Sequence, residues 1–185
     1  MAFGDAAGEQ TRDERLEIAR RYRERRGAEL RALAASGVDG EVVAAGEFST
    51  VPTEAIASIP GLGMLLLPIA RHRSRKLGLS PKILLALTET TVEALLLEAA
   101  GLRRDETGVR PGRSWPRSEV RAENGGRAFM RDKVLLHVPG AGEPLTLYAP
   151  SLRTSPWSAE VVRLLGGEAP NPLDLGEDTG PSRSG

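Results

Sequence analysis

Ile83-Leu84-Leu85-Ala86-Leu87-Thr88-Glu89-Thr90-Thr91-Val92-Glu93-Ala94-Leu95-Leu96-Leu97 reads equally well as one helix or as two strands. Ser80 and Pro81 suit an N-cap and first helical position, and Gly101 suits a stop. The Leu, Ala and Glu between them favour helix. Against this stands the polar block Thr88–Thr91. In a helix it fills a whole turn and cuts the apolar stripe. In a hairpin it is the turn, and the flanks 83–87 and 92–97 have strand lengths. A continuous helix here excludes a β-barrel, so the rest of the chain has to decide.

Downstream, residues 102–112 look like a polar, Gly-rich loop, and 113–121 like a strand whose Pro116 implies an edge or a bulge. Asn124-Gly125-Gly126 signals a turn. Ala128-Phe129-Met130 and Val134–Val138 then flank Asp132-Lys133, and Pro139–Gly142 turns the chain again. Leu145, Leu147 and Ala149 alternate with Thr146 and Tyr148, as in a half-buried strand. A short helix follows, with Ser155 as cap, Pro156 at its first position and Gly166 as stop. Trp157, Val161, Leu164 and Leu165 would share its apolar face. Residues 167–185, with three prolines and four acids, read as a disordered tail.

Upstream, residues 1–10 are small and polar and are expected to be disordered. A helix is expected over 11–36, opened by the capping box Thr11–Glu14 and stopped near Gly37. Its stripe Leu16, Ala19, Tyr22, Leu30, Leu33 is narrow and broken at Arg25-Arg26-Gly27, amid eight Arg and five acids. Such a helix suits a solvated arm, light docking on the body, or pairing with another chain. Residues 41–48 read as a first strand. Ile56–Ala70 carries no charge over 15 residues. A membrane-spanning helix needs about 20, and Pro60, Gly61, Gly63 and Pro68 interrupt this one. Directly after it, Arg71–Lys76 places four positive charges in six residues.

The 185 residues suit one domain with appendages. Twenty-five basic residues balance 25 acidic ones, which excludes a globally basic nucleic-acid binder but not local patches. Of the basic residues 22 are Arg, a skew that GC-rich codons explain better than phosphate binding does. With no cysteine there is no disulfide, thiolate nucleophile or thiolate metal site. Two histidines, His72 and His137, make no His-based metal site and stand in no catalytic motif. The expectation is a non-enzymatic chain without metal or cofactor. Met-Ala-Phe-Gly-Asp lacks the features of a signal peptide, so the expected location is cytoplasmic.

With 83–97 as a hairpin, the order becomes seven strands and a closing amphipathic helix. In that order the chain resembles the bacterial pleckstrin-homology-like (PH-like) domains. The resemblance rests on Leu85-Ala86-Leu87-Thr88-Glu89-Thr90-Thr91-Val92, on Ser114-Trp115-Pro116-Arg117-Ser118-Glu119-Val120, and on the helix holding Trp157. It covers residues 82–166, and 41–49 more loosely. It implies an α+β, mainly β fold: a partly open seven-stranded barrel over 40–166, with an insertion at 50–81, capped by the C-terminal helix and carrying an extra N-terminal helix. Trp157 would plug one barrel mouth. Such domains are usually binding scaffolds, though a fold alone does not define a function.

The expected contact surface is the junction of the uncharged stretch with the basic run. An apolar element beside cations is what an anionic bilayer face, or a partner protein, accepts. The residues that would make this contact are Leu65, Leu66, Leu67, Arg71, Arg73, Arg75, Lys76 and Lys82. The bland alternative is that the leucines pack on the barrel and the charges form a solvated turn. The expected role is therefore a protein-interaction or membrane-surface adaptor, peripheral at the inner membrane face. The competing role is nucleic-acid binding through Arg103, Arg104, Arg110, Arg113, Arg117 and Arg121. Only Trp115 lies near them for stacking.

Overall fold

The computed structural model describes residues 12–51, 78–99, 107–128 and 131–169. In chain order these form α1 (Arg12–Ala35), β1 (Ala44–Ser49), β2 (Lys82–Leu87), β3 (Thr91–Ala99), β4 (Thr107–Pro116), a 3₁₀ turn (Arg117–Glu119), β5 (Arg121–Ala128), β6 (Arg131–His137), β7 (Leu145–Pro150) and α2 (Pro156–Leu164).

Residues 83–97 are a hairpin, with Leu87 opposite Val92. Thr88 builds its turn. The Thr88 hydroxyl accepts from the N–H of Thr91 at 2.9 Å and of Thr90 at 3.3 Å, and lies 2.8 Å from the Thr91 hydroxyl. A side-chain oxygen here does what an Asn-Gly pair does in other tight turns. The alternation missing from the sequence has a physical cause. Ile83, Leu85 and Leu87 face the main core, while Leu84 and Ala86 face a second cluster on the opposite side. A strand covered on both faces reads as an unbroken apolar run.

The seven strands make one antiparallel sheet in the order β4-β3-β2-β1-β7-β6-β5, which does not close. It consists of two meanders, β1–β4 and β5–β7, that meet at a narrow seam. β1 and β7 share a single register pair, Ser49 with Tyr148, whereas β1 pairs with β2 from Ala44 to Ser49. Helix α2 bridges the seam. Gly46 lets it come close, since a Cβ there would stand 2.9 Å from the Cα of Ser158. The Ser158 hydroxyl donates to the Glu47 carbonyl at 3.1 Å. Ala159, Val161, Val162 and Leu165 enter the main core with Phe48, Leu136 and Leu147. The helix ends in a Schellman motif: Gly166 takes φ +83°, its N–H reaches the Arg163 carbonyl, and the Gly167 N–H reaches that of Val162.

Four local expectations need correction. Trp157 is buried, but in the second cluster with Leu30, Ala34, Ala45, Leu84, Ala86 and Leu95, so it joins α1 to the sheet and does not plug the barrel interior. Leu164 is exposed, and the buried face of α2 runs through Val161 and Val162. Asn124-Gly125-Gly126 does not end a strand. It lies inside β5 as an irregularity opposite β6, with Gly126 at φ +85° and its N–H on the Asn124 side-chain oxygen at 2.9 Å. Part of the expected loop 102–112 is the first half of β4, paired to β3 from Thr107.

Candidate functional site: a groove between α1, β1 and α2

α1 divides into two halves. Leu30 and Ala34 are fully buried against the outer face of the β1–β4 meander, with Leu33 packed beside them. The N-terminal half leaves its large apolar side chains in water: Leu16 is 55%, Ile18 54% and Tyr22 53% exposed. The divide falls at Arg26-Gly27. The Arg26 guanidinium bonds the Glu47 carboxylate on β1 at 2.6 Å and lies 3.3 Å from Glu29. Both members of the Arg26–Glu47 pair are about two-thirds covered, and the pair ties α1 to β1 where the buried half of the helix begins.

Between the departing helix and the sheet lies an open groove of about 610 Å³. Tyr22, Arg26 and Glu29 of α1 form one wall, Glu47 of β1 the floor, and Pro150, Thr154, Ser155 and Trp157 the far wall. Tyr22, Arg26 and Glu29 recur at helical spacing and so face the groove together. The far wall is held by local bonds: Thr154 and Ser155 both donate backbone N–H to the Ser151 carbonyl, and the Leu152 N–H is caught by the Asp132 carboxylate at 2.6 Å. The Trp157 indole N–H is buried without a hydrogen-bond partner among the described residues. The volume is in the range of pockets that hold a drug-sized molecule or a few anchor side chains.

Further up α1, Glu17 accepts hydrogen bonds from Arg20 at 3.0 Å and Arg21 at 2.9 Å. Those bonds, that from Arg20 first, hold the Glu17 carboxyl below the usual carboxylate range. Glu17 therefore stays ionised to lower pH than a free glutamate does, and its bonds to the two arginines are lost as it protonates.

Of the residues expected to make surface contact, Leu65, Leu66, Leu67, Arg71, Arg73, Arg75 and Lys76 lie outside the described residues. Lys82 opens β2, exposed, opposite Ser49. The root of the segment between is tightly tied. The Thr50 N–H bonds the Pro81 carbonyl and its hydroxyl the Ser80 carbonyl, both at 3.0 Å. The Ser49 hydroxyl reaches the carbonyls of Val51 and Pro81, and the Ser80 hydroxyl that of Lys82. Val51 and Leu79 are buried on either side.

The second Arg-rich stretch does not present one free surface. Arg103 and Arg104 lie outside the described residues. The Arg117 guanidinium donates to the Thr88 carbonyl at 2.9 Å, clamping the 3₁₀ turn to the β2–β3 hairpin. Arg121 donates to the carbonyls of Ser118 and Val120. Arg110 and Arg113 are engaged as well. His137 sits in β6 with Nε2 3.2 Å from Glu123 of β5. Among the described residues no three His, Asp or Glu side chains stand together to hold a metal ion, and no helix is long and apolar enough to cross a membrane.

The groove was not foreseen from the sequence. Its walls come from residues 22–29, 47 and 150–157, too far apart for any spacing rule. The one local trace was the break in the apolar stripe at Arg25-Arg26-Gly27. No family model matches the chain, and no curated protein matches it.

Proposed function

We propose that the chain is a non-catalytic binding module of PH-like type that works as a protein adaptor. The open strand order, the closing helix and the Thr-led hairpin support the PH-like part of the reading. The observation that carries the adaptor role is the groove itself. It sets a tyrosine, an arginine and a tryptophan around the Glu47 floor, and these three residue types dominate binding energy at protein interfaces.

The test places a photo-crosslinking residue at Thr154 on the groove rim and, separately, at exposed Glu143 on the turn before β7. In its native cells the Thr154 form should give discrete protein adducts that the Glu143 form does not. Identical patterns from both sites would remove the groove as the binding surface.

A second reading rests on the tied root of the 52–77 segment, where residues 49–51 and 80–82, Lys82 among them, are bonded together at one place on the sheet. Arg71, Arg73, Arg75 and Lys76 would there attract anionic lipid, with Leu65, Leu66 and Leu67 entering the interface. Wild-type protein should then sediment with phosphatidylglycerol-containing vesicles and not with phosphatidylcholine alone, and Arg73→Glu with Arg75→Glu should abolish this without moving the melting temperature.

A further inference from the structure

We propose that the N-terminal half of α1, together with the groove at its base, is a docking surface for an acidic amphipathic helix of a partner protein. The inference rests on the adaptor reading and names its partner's chemistry.

Arg15, Ile18, Tyr22 and Arg25 recur at spacings of three and four, so they form one stripe along the helix. Ile18 and Tyr22 are more than half exposed, and Tyr22 is also a wall of the groove. The apolar stripe thus runs directly into a cavity large enough for one or two anchor side chains. That is the geometry by which a helix lays its i, i+3, i+4 and i+7 residues on a partner.

Charge selects the occupant. α1 holds eight arginines against five acids over its 24 residues. On this stripe Arg25 is held only loosely, 3.6 Å from Glu29, and among the described residues no carboxylate pairs with the Arg15 guanidinium; in the groove Glu29 and Glu47 are both engaged by Arg26. A second copy would bring the same arginines against these, and like charges across an interface are costly. A bilayer is a poor match too. An interfacial helix concentrates its apolar residues on one face, whereas α1 spends Leu30 and Ala34 on the sheet, leaves Ile18 in solvent and Tyr22 on the groove, and carries acids between them. A partner helix with leucine-type anchors flanked by glutamate satisfies both the stripe and its cations.

The experiment uses the full chain and two fluorescently labelled helical peptides with identical leucine faces, one glutamate-rich and one lysine-rich, read by anisotropy. The glutamate-rich peptide should bind at least about tenfold more tightly, and the preference should shrink with salt. Ile18→Ser with Tyr22→Ser should weaken it by about tenfold or more while thermal melting stays unchanged, since both side chains are exposed. Arg15→Gln with Arg25→Gln should flatten the salt dependence. Equal binding of the two peptides, or binding untouched by the Ile18/Tyr22 variant, would overturn the proposal while leaving the Thr154 crosslinking result to judge the adaptor reading separately. Self-association lost in the Ile18/Tyr22 variant would overturn it in favour of a second copy, and vesicle binding lost in that variant would overturn it in favour of lipid.

Discussion

At the scale of the residue, the fold turns on two side chains whose roles the sequence half disclosed. Thr88 was legible as part of a polar block but not as the acceptor that folds it, because a hydroxyl turn carries no Asn-Gly signature. Thr88→Val keeps the shape and removes the acceptor, leaving the Thr90 and Thr91 N–H groups without it. The expected loss is about 1–3 kcal/mol, read as a lowered denaturant midpoint, with Thr88→Ser close to wild type. Trp157 was legible as buried and misplaced as to where, since its position in the α2 pattern cannot say which neighbour covers it. It packs between α1 and the sheet. Trp157→Ala should cost about 3–5 kcal/mol. Trp157→Phe should cost far less, because it keeps a ring in place and drops an indole N–H that has no partner among the described residues. Chemical denaturation of the two variants side by side checks this, and equal losses would mean that the N–H matters after all.

Among elements, legibility followed coverage. β7 alternates because one face meets the core and the other does not, and its pattern was plain. β2 does not alternate, since both faces are packed, and for that reason the helix and hairpin readings of 83–97 balance in the sequence. β4 was partly hidden by Pro111 and Gly112, which look like loop residues. They sit on an edge strand, where the register with β3 slips between Ala94 and Leu95. Gly112 is required there: a Cβ would stand 2.5 Å from the Ala94 carbonyl oxygen. Gly112→Ala should push β4 away from β3 and destabilise the domain by about 1–3 kcal/mol. Near-ultraviolet dichroism of Trp115, which packs on the core at the far end of β4, should weaken with it. Unchanged dichroism and midpoint would show that the edge absorbs the methyl group.

Across the whole molecule, α1 and Trp157 of α2 cover one face of β2, and the main core, with the rest of α2's buried apolar side chains, covers the other. The order of elements could be read along the chain, but the groove could not, because it exists only once α1, β1 and the β7–α2 corner have been brought together. The double cover of β2 also has a consequence in time. An amide proton leaves for solvent only when its hydrogen bond opens to water, and the regions richest in buried contacts open last. β2 has a paired strand on each edge and apolar side chains packed on each face. Its amides should exchange with deuterium only as the entire domain unfolds, with those of Leu84 and Leu85 among the slowest. The outer edges of β4 and β5, with no strand beyond them among the described residues, should exchange orders of magnitude sooner, so a single exchange series would trace the sheet from rim to centre as a sequence of waiting times.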